Sequence, residues 1–103
     1  MLDEQTTNEN NITSKRAIIT VLGADKIGII AGVTTVLAKL GINILDISQT
    51  IMSSVFTMIM LVDLEKATKP IQEVIDELEN EGKKLNVEVR LQLEEIFKAM
   101  HRI

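Results

Sequence analysis

The chain predicts an α+β fold in which strands and helices run in the order β-α-β-β-α-β, followed by a short C-terminal helix. Three observations lead there. Apolar residues cluster or alternate as strands in four segments, they recur at helical spacing in two others, and glycine, proline or serine pairs mark the changes between them.

The run 17–22 is apolar and β-branched almost throughout, as expected of a central strand covered on both faces. Gly23 to Gly28 breaks it. Ile29, Ile30, Val33, Val36, Leu37 and Leu40 then fall at helical spacing, with Gly41 placed to end the helix. Residues 43–52 read as a second strand, with Leu45, Ile47, Gln49 and Ile51 on one face and Asp46, Ser48 and Thr50 on the other. Ser53-Ser54 turns the chain into a third strand over 55–64, apolar on both faces. Pro70 suits the start of a second helix whose buried stripe is Ile71, Val74, Ile75 and Leu78, and Gly82 is expected to end it. Leu85, Val87, Val89 and Leu91 alternate with polar residues as a half-buried fourth strand. The tail from Leu93 to about His101 can close as a short helix with Leu93, Ile96, Phe97 and Met100 on one side. Right-handed crossovers then favour a ferredoxin-like βαββαβ arrangement: an antiparallel four-stranded sheet of order 4-1-3-2 with both main helices on one face. The expected organisation is a disordered polar leader over residues 1–14, one folded domain over 15–92 and a helical extension over 93–103.

Composition narrows the function. With 103 residues there is room for one domain, and 46% hydrophobic residues supply its core. Phe56 and Phe97 are the only aromatics and the net charge is −4, so neither base stacking nor attraction to a polyanion is on offer, and nucleic acid is not an expected partner. The absence of cysteine excludes disulfides, thiolate metal sites and thiol nucleophiles, and fits a cytoplasmic protein. No apolar run reaches the roughly 18 residues needed to cross a bilayer, so no membrane association is expected. His101 is the only histidine and has no evident partner for catalysis or metal binding. No cofactor is implied. Met52, Met58 and Met60 read as adaptable packing.

The most informative stretch is Gly23 to Ile30, a glycine-flanked loop entering a helix. It has two readings. Unpaired N–H groups at a helix start attract anions, carboxylates included; equally, Asp25 can cap the helix by accepting the Gly28 N–H, and Gly32 can serve close packing. Lys26 either neutralises a bound carboxylate or is simply solvated. Asn43, following the helix-ending Gly41, either contacts a ligand or satisfies local backbone groups. Asp46, Ser48, Gln49 and Thr50 either keep an edge strand in solution or hydrogen-bond across an interface. The third strand is apolar on both faces while two helices cover only one, so the C-terminal helix and a second subunit are expected to cover the rest, in a homodimer.

These segments resemble an ACT domain. That family typically shows a strand, a Gly-x-Asp-(Arg/Lys)-x-Gly-(Ile/Leu)-(Ile/Leu) loop, a helix, and Gly-(Ile/Val)-Asn-Ile opening the next strand. Here the loop is Gly23-Ala24-Asp25-Lys26-Ile27-Gly28-Ile29-Ile30 and the second motif is Gly41-Ile42-Asn43-Ile44; Ile27 stands where many members carry proline. The resemblance covers about residues 16–92, and the C-terminal helix is further similar to small bacterial proteins made of a lone ACT domain. It implies regulatory binding of a small molecule, commonly an amino acid, at a dimer interface. It implies a site lined by Asp25, Lys26, Gly28, Ile29 and Ile30, with Asn43 hydrogen-bonded to the ligand. The expected function is thus that of a homodimeric sensor that is not an enzyme and signals to a downstream protein. A ligand-independent interaction module is the alternative. A small acylphosphatase-like enzyme is a remote one, because that chemistry wants a cationic anion-cradling loop and this loop offers Asp25 and Lys26.

Overall fold

The computed structural model describes residues 15–24 and 27–100. Along them run β1 (Arg16–Gly23), α1 (Ile29–Lys39), β2 (Asn43–Met52), β3 (Val55–Asp63), α2 (Ile71–Leu85), β4 (Glu88–Leu93) and α3 (Glu94–Met100). The strands form one antiparallel sheet of order β2-β3-β1-β4, which is the expected ferredoxin-like order. The leader expected over residues 1–14 and the histidine at position 101 lie outside the described residues.

Alternation along the strands decides which side is buried. Ala17, Ile19 and Val21 of β1, Phe56, Met58, Met60 and Val62 of β3 and Val89 of β4 point to one face and are buried there. Ile29, Val33, Val36 and Leu37 of α1 and Val74 and Leu78 of α2 close over them as a single core. The opposite face carries Ile18, Thr20 and Leu22 paired with Leu61, Ile59 and Thr57. These residues are only half-buried or exposed, Ile59 retaining 41% of its accessible surface. So β1, expected to be covered on both faces, is sealed on one only. Its β-branched character reflects its central place in the sheet. α3 contacts β1 and β4, and Glu94 at its start is ion-paired with Arg16 at 3.1 Å.

Both main helices end by the same device. At α1 the Gly41 N–H donates to the Ala38 carbonyl and the Ile42 N–H to the Leu37 carbonyl. At α2 the Asn86 N–H donates to Lys83 and the Val87 N–H to Gly82, with Asn86 in the left-handed region at φ 59°. Gly82 therefore does not end α2, contrary to the expectation from sequence. It lies inside the helix, where an added Cβ would stand 2.9 Å from the Val87 carbonyl oxygen and 2.9 Å from a Val89 methyl. Glycine is there to let helix and strand approach. The extra turn takes Leu85 into α2 and leaves Val87 in the connection, so β4 begins at Glu88 and extends to Leu93.

The β2–β3 hairpin turns through two residues, since Met52 pairs with Val55. Ser53 (φ 50°) and Ser54 (φ 68°) both adopt left-handed backbone, the requirement of a type I′ turn, for which Asn-Gly is the favoured pair. Side chains with a Cβ pay roughly 1–2 kcal/mol there. Replacing Ser53-Ser54 by Asn-Gly is expected to raise stability by about 1 kcal/mol, read as a higher denaturant midpoint at unchanged m-value.

Candidate functional site

The loop after β1 delivers the chain to α1 through Gly28, which has φ 77° and serves as the helix N-cap. The residue preceding the first helical turn is Gly28, and no side-chain hydrogen bond caps the helix among the described residues. Gly32 donates to the Gly28 carbonyl at 2.9 Å, so the N–H groups of Ile29, Ile30 and Ala31 lie in the turn that precedes intrahelical pairing. Ile29 is buried in the core and holds this turn against the sheet, whereas Ile27 and Ile30 are exposed. Gly28, Ile29 and Ile30 therefore stand together at the start of α1; Asp25 and Lys26 lie outside the described residues.

Asn43 is placed by other means. The helix-ending turn at Leu40–Ile42 anchors buried Ile42, and Thr68 donates its N–H to the Leu40 carbonyl at 2.9 Å, clamping the start of β2 beneath the segment leading to α2. Asn43 is exposed and lines an open groove of about 640 Å³ with Thr34, Ala38 and Ile44. The Thr34 hydroxyl is committed to the Ile30 carbonyl at 2.6 Å, which leaves the Asn43 amide as the groove's polar side chain of widest hydrogen-bonding capacity.

Within one chain these two parts do not meet. Asn43 pairs with Asp63, which pairs with Arg16 at the start of β1; Gly23 pairs with Phe56, which pairs with Ile51 at the far end of β2. At about 3.3 Å per residue the seven steps from Arg16 to Gly23 separate the loop from Asn43 by about 23 Å.

Between the two ends runs β2. All ten of its residues are exposed, including Ile44, Leu45, Ile47, Ile51 (60%) and Met52 (69%). Its inner side is paired with β3 apart from an irregularity at Leu45, and among the described residues no strand pairs with its outer edge. Asp46 is its only charge, and its carboxylate accepts the Ile47 N–H at 2.8 Å. The sequence announced strand β2 and its polar face, but not that its apolar face, Ile47 and Ile51, would also lie outside the helical cover.

Perturbed ionisation among the described residues is confined to Lys69 and Glu77, linked by a 2.7 Å hydrogen bond that holds the lysine above and the carboxyl below their ordinary values. The pair ties the approach of α2 to the helix. No group of three metal-binding side chains occurs among the described residues, and no helix of them is long and apolar enough to cross a membrane.

A sheet with this order, two helices on one face, a glycine loop entering the first and an asparagine opening β2 define a ferredoxin-like βαββαβ domain. The ACT domain model matches residues 15–92. The UPF0237 protein of Clostridium acetobutylicum is 56% identical over 88 residues, covering 85% of this chain and 99% of that protein. An ACT domain protein from Streptococcus pneumoniae superposes with a TM-score of 0.74 at 43% identity, covering 86% of this chain and 100% of that one. The regulatory subunit of aspartate kinase from Thermus thermophilus superposes at 0.59 with 29% identity, over 78% of this chain and 52% of that one. The chain belongs to the ACT domain family, and its relatives include stand-alone domains of nearly the same length. The family is a regulatory one rather than a catalytic one.

Among the described residues the nearest atom to a Cβ added at Gly28 is a Leu85 methyl at 3.8 Å, and its φ of 77° favours glycine. Gly28→Ala is expected to cost roughly 1–2 kcal/mol and Gly28→Asn less, measured by chemical denaturation.

Proposed function

We propose that this chain is a homodimeric sensor that binds a small molecule, with an amino acid as the ligand class, and passes the result to a protein partner. The observation that carries the reading is the separation of the loop from Asn43 by the length of the sheet. Two β2 strands paired antiparallel about their middle bring Asn43 of one subunit level with Met52 of the other, the end at which the second subunit's Gly23–Ile30 loop stands. Each of two equivalent sites would then take its loop from one subunit and its asparagine from the other.

The chemistry fits a zwitterion. The first-turn N–H groups of α1 suit a carboxylate, with Lys26 proposed to reinforce them. The Asn43 amide offers both donor and acceptor, and Asp25 is proposed to meet an ammonium group. The exposed edge supports the pairing: a ten-residue edge strand with one charge, no lysine and no proline lacks the features that keep edges apart. A ligand held by both subunits favours the paired state by its differential affinity.

A thermal-denaturation screen against the twenty amino acids, small anions and nucleotides tests this. Ligand at 100 times its dissociation constant is expected to add about 2.7 kcal/mol, several degrees for a domain of this size. The shift should be stereospecific, lost in Asn43→Ala without loss of dimer, and lost together with the dimer in Ile51→Lys. A flat screen with an intact dimer would point instead to a ligand-independent interaction module.

A further inference from the structure

At the end of the sheet where β1 begins and β4 finishes, Ala17 pairs with Leu93 and the Leu64 N–H donates to the Lys15 carbonyl. The core does not close completely there. The start of α2 leaves a cavity of about 370 Å³ between itself and these strand ends. Its apolar lining is Leu64 and Ala67 from the segment leading to α2, Ile71 and Val74 from the helix, and Leu93 from β4. Val74 is fully buried, whereas Ile71 keeps 40% of its surface. Lys15, Glu65 and Lys69 complete the lining among the described residues.

Backbone bonds set the walls. The Ala67 N–H donates to the Leu64 carbonyl at 3.0 Å, and the Val74 N–H donates to the Pro70 carbonyl at 3.1 Å. The Glu65 N–H donates to the Asp63 carboxylate at 2.9 Å. The two cations differ in what they already hold. Lys69 Nζ donates to the Glu77 carboxylate at 2.7 Å. Lys15 is exposed and forms no ion pair among the described residues.

We infer that this cavity binds an aliphatic carboxylic acid, with its chain against the five apolar residues and its carboxylate at Lys15. A mainly apolar lining with a few polar groups, in a volume within the range of about 300–1,000 Å³, is the make-up of a small-ligand site. The head group's sign follows from the cations: Lys69 has a carboxylate in Glu77, and an anionic head supplies one to Lys15. The site shares no residue with Gly28–Ile30 or with the groove at Asn43. Thr68 of the intervening segment is bonded to the Leu40 carbonyl on the Asn43 side. The inference therefore stands or falls apart from the sensor reading.

Methyl-resolved NMR of the full chain, titrated with hexanoate, octanoate and octylammonium, tests it. Octanoate is expected to shift the Ile71, Val74 and Leu93 methyls saturably. Its two extra methylenes should tighten binding roughly tenfold over hexanoate. Octylammonium has the same chain and the opposite head, and should bind several-fold more weakly. Octanoate should bind Lys15→Glu more weakly by roughly two- to fivefold, and this exposed position leaves the fold intact. Ala67→Leu fills the cavity and should abolish the saturable shifts. A full chain without saturable shifts at these methyls would leave the cavity to the chain's own residues 1–14 and overturn the inference. Binding indifferent to chain length and head charge, or unchanged in both variants, would overturn it as well.

Discussion

Everything in this molecule follows from the cover that two helices can give to four strands. The buried faces of β1, β3 and β4 press against α1 and α2 in one core, and that contact uses the apolar stripes of both helices. Nothing remains for β2 or for the far side of the sheet. The most central strand pair, β1 with β3, is therefore sealed on one side and half-exposed on the other, and β2 lies beyond the helical roof altogether. The remaining apolar surface is placed as an edge and a face, the two surfaces through which sheets associate.

The same topology dictates how a ligand could be held. A crossover helix has to carry the chain from one end of the sheet to the other, so the loop that opens α1 and the asparagine that follows it are separated by construction. Residues that are close in sequence motif are remote in space. In the proposed sensor, a ligand bridging subunits would interact with the assembly and not with the separated chain, and its binding free energy would appear as a change in association.

Much of the fold was legible because periodicity and punctuation agreed. The alternation of β3, the stripe of α1 and the Gly41 stop each specified one element, and the strand order came from handedness. Gly82 misled because glycine has two uses, ending helices and admitting close neighbours, and only the proximity of Val87 and Val89 distinguishes them. At the start of α1 the left-handed Gly28 stands immediately before the first helical residue. In the candidate site, the residues near the loop were legible as a motif. Their distance from Asn43 was not, because it depends on pairing across three strands. The exposure of Ile47 and Ile51 was hidden for a related reason: alternation tells which residues share a face, not whether a helix reaches it.

The start of α1 links these themes. The first N–H groups of a helix lie outside its intrahelical ladder, and an anion placed there would pair with them. α1 carries Ile29, Val33, Val36 and Leu37, a quarter of the buried apolar residues of the core, so what stabilises its first turn is felt throughout the packing. Ile29 joins the two directly, being both the first helical residue and a fully buried one. A ligand at this end would thus be read in two ways at once, as added stability of the subunit and as a bond to its neighbour. That double coupling would suit the homodimeric sensor proposed above.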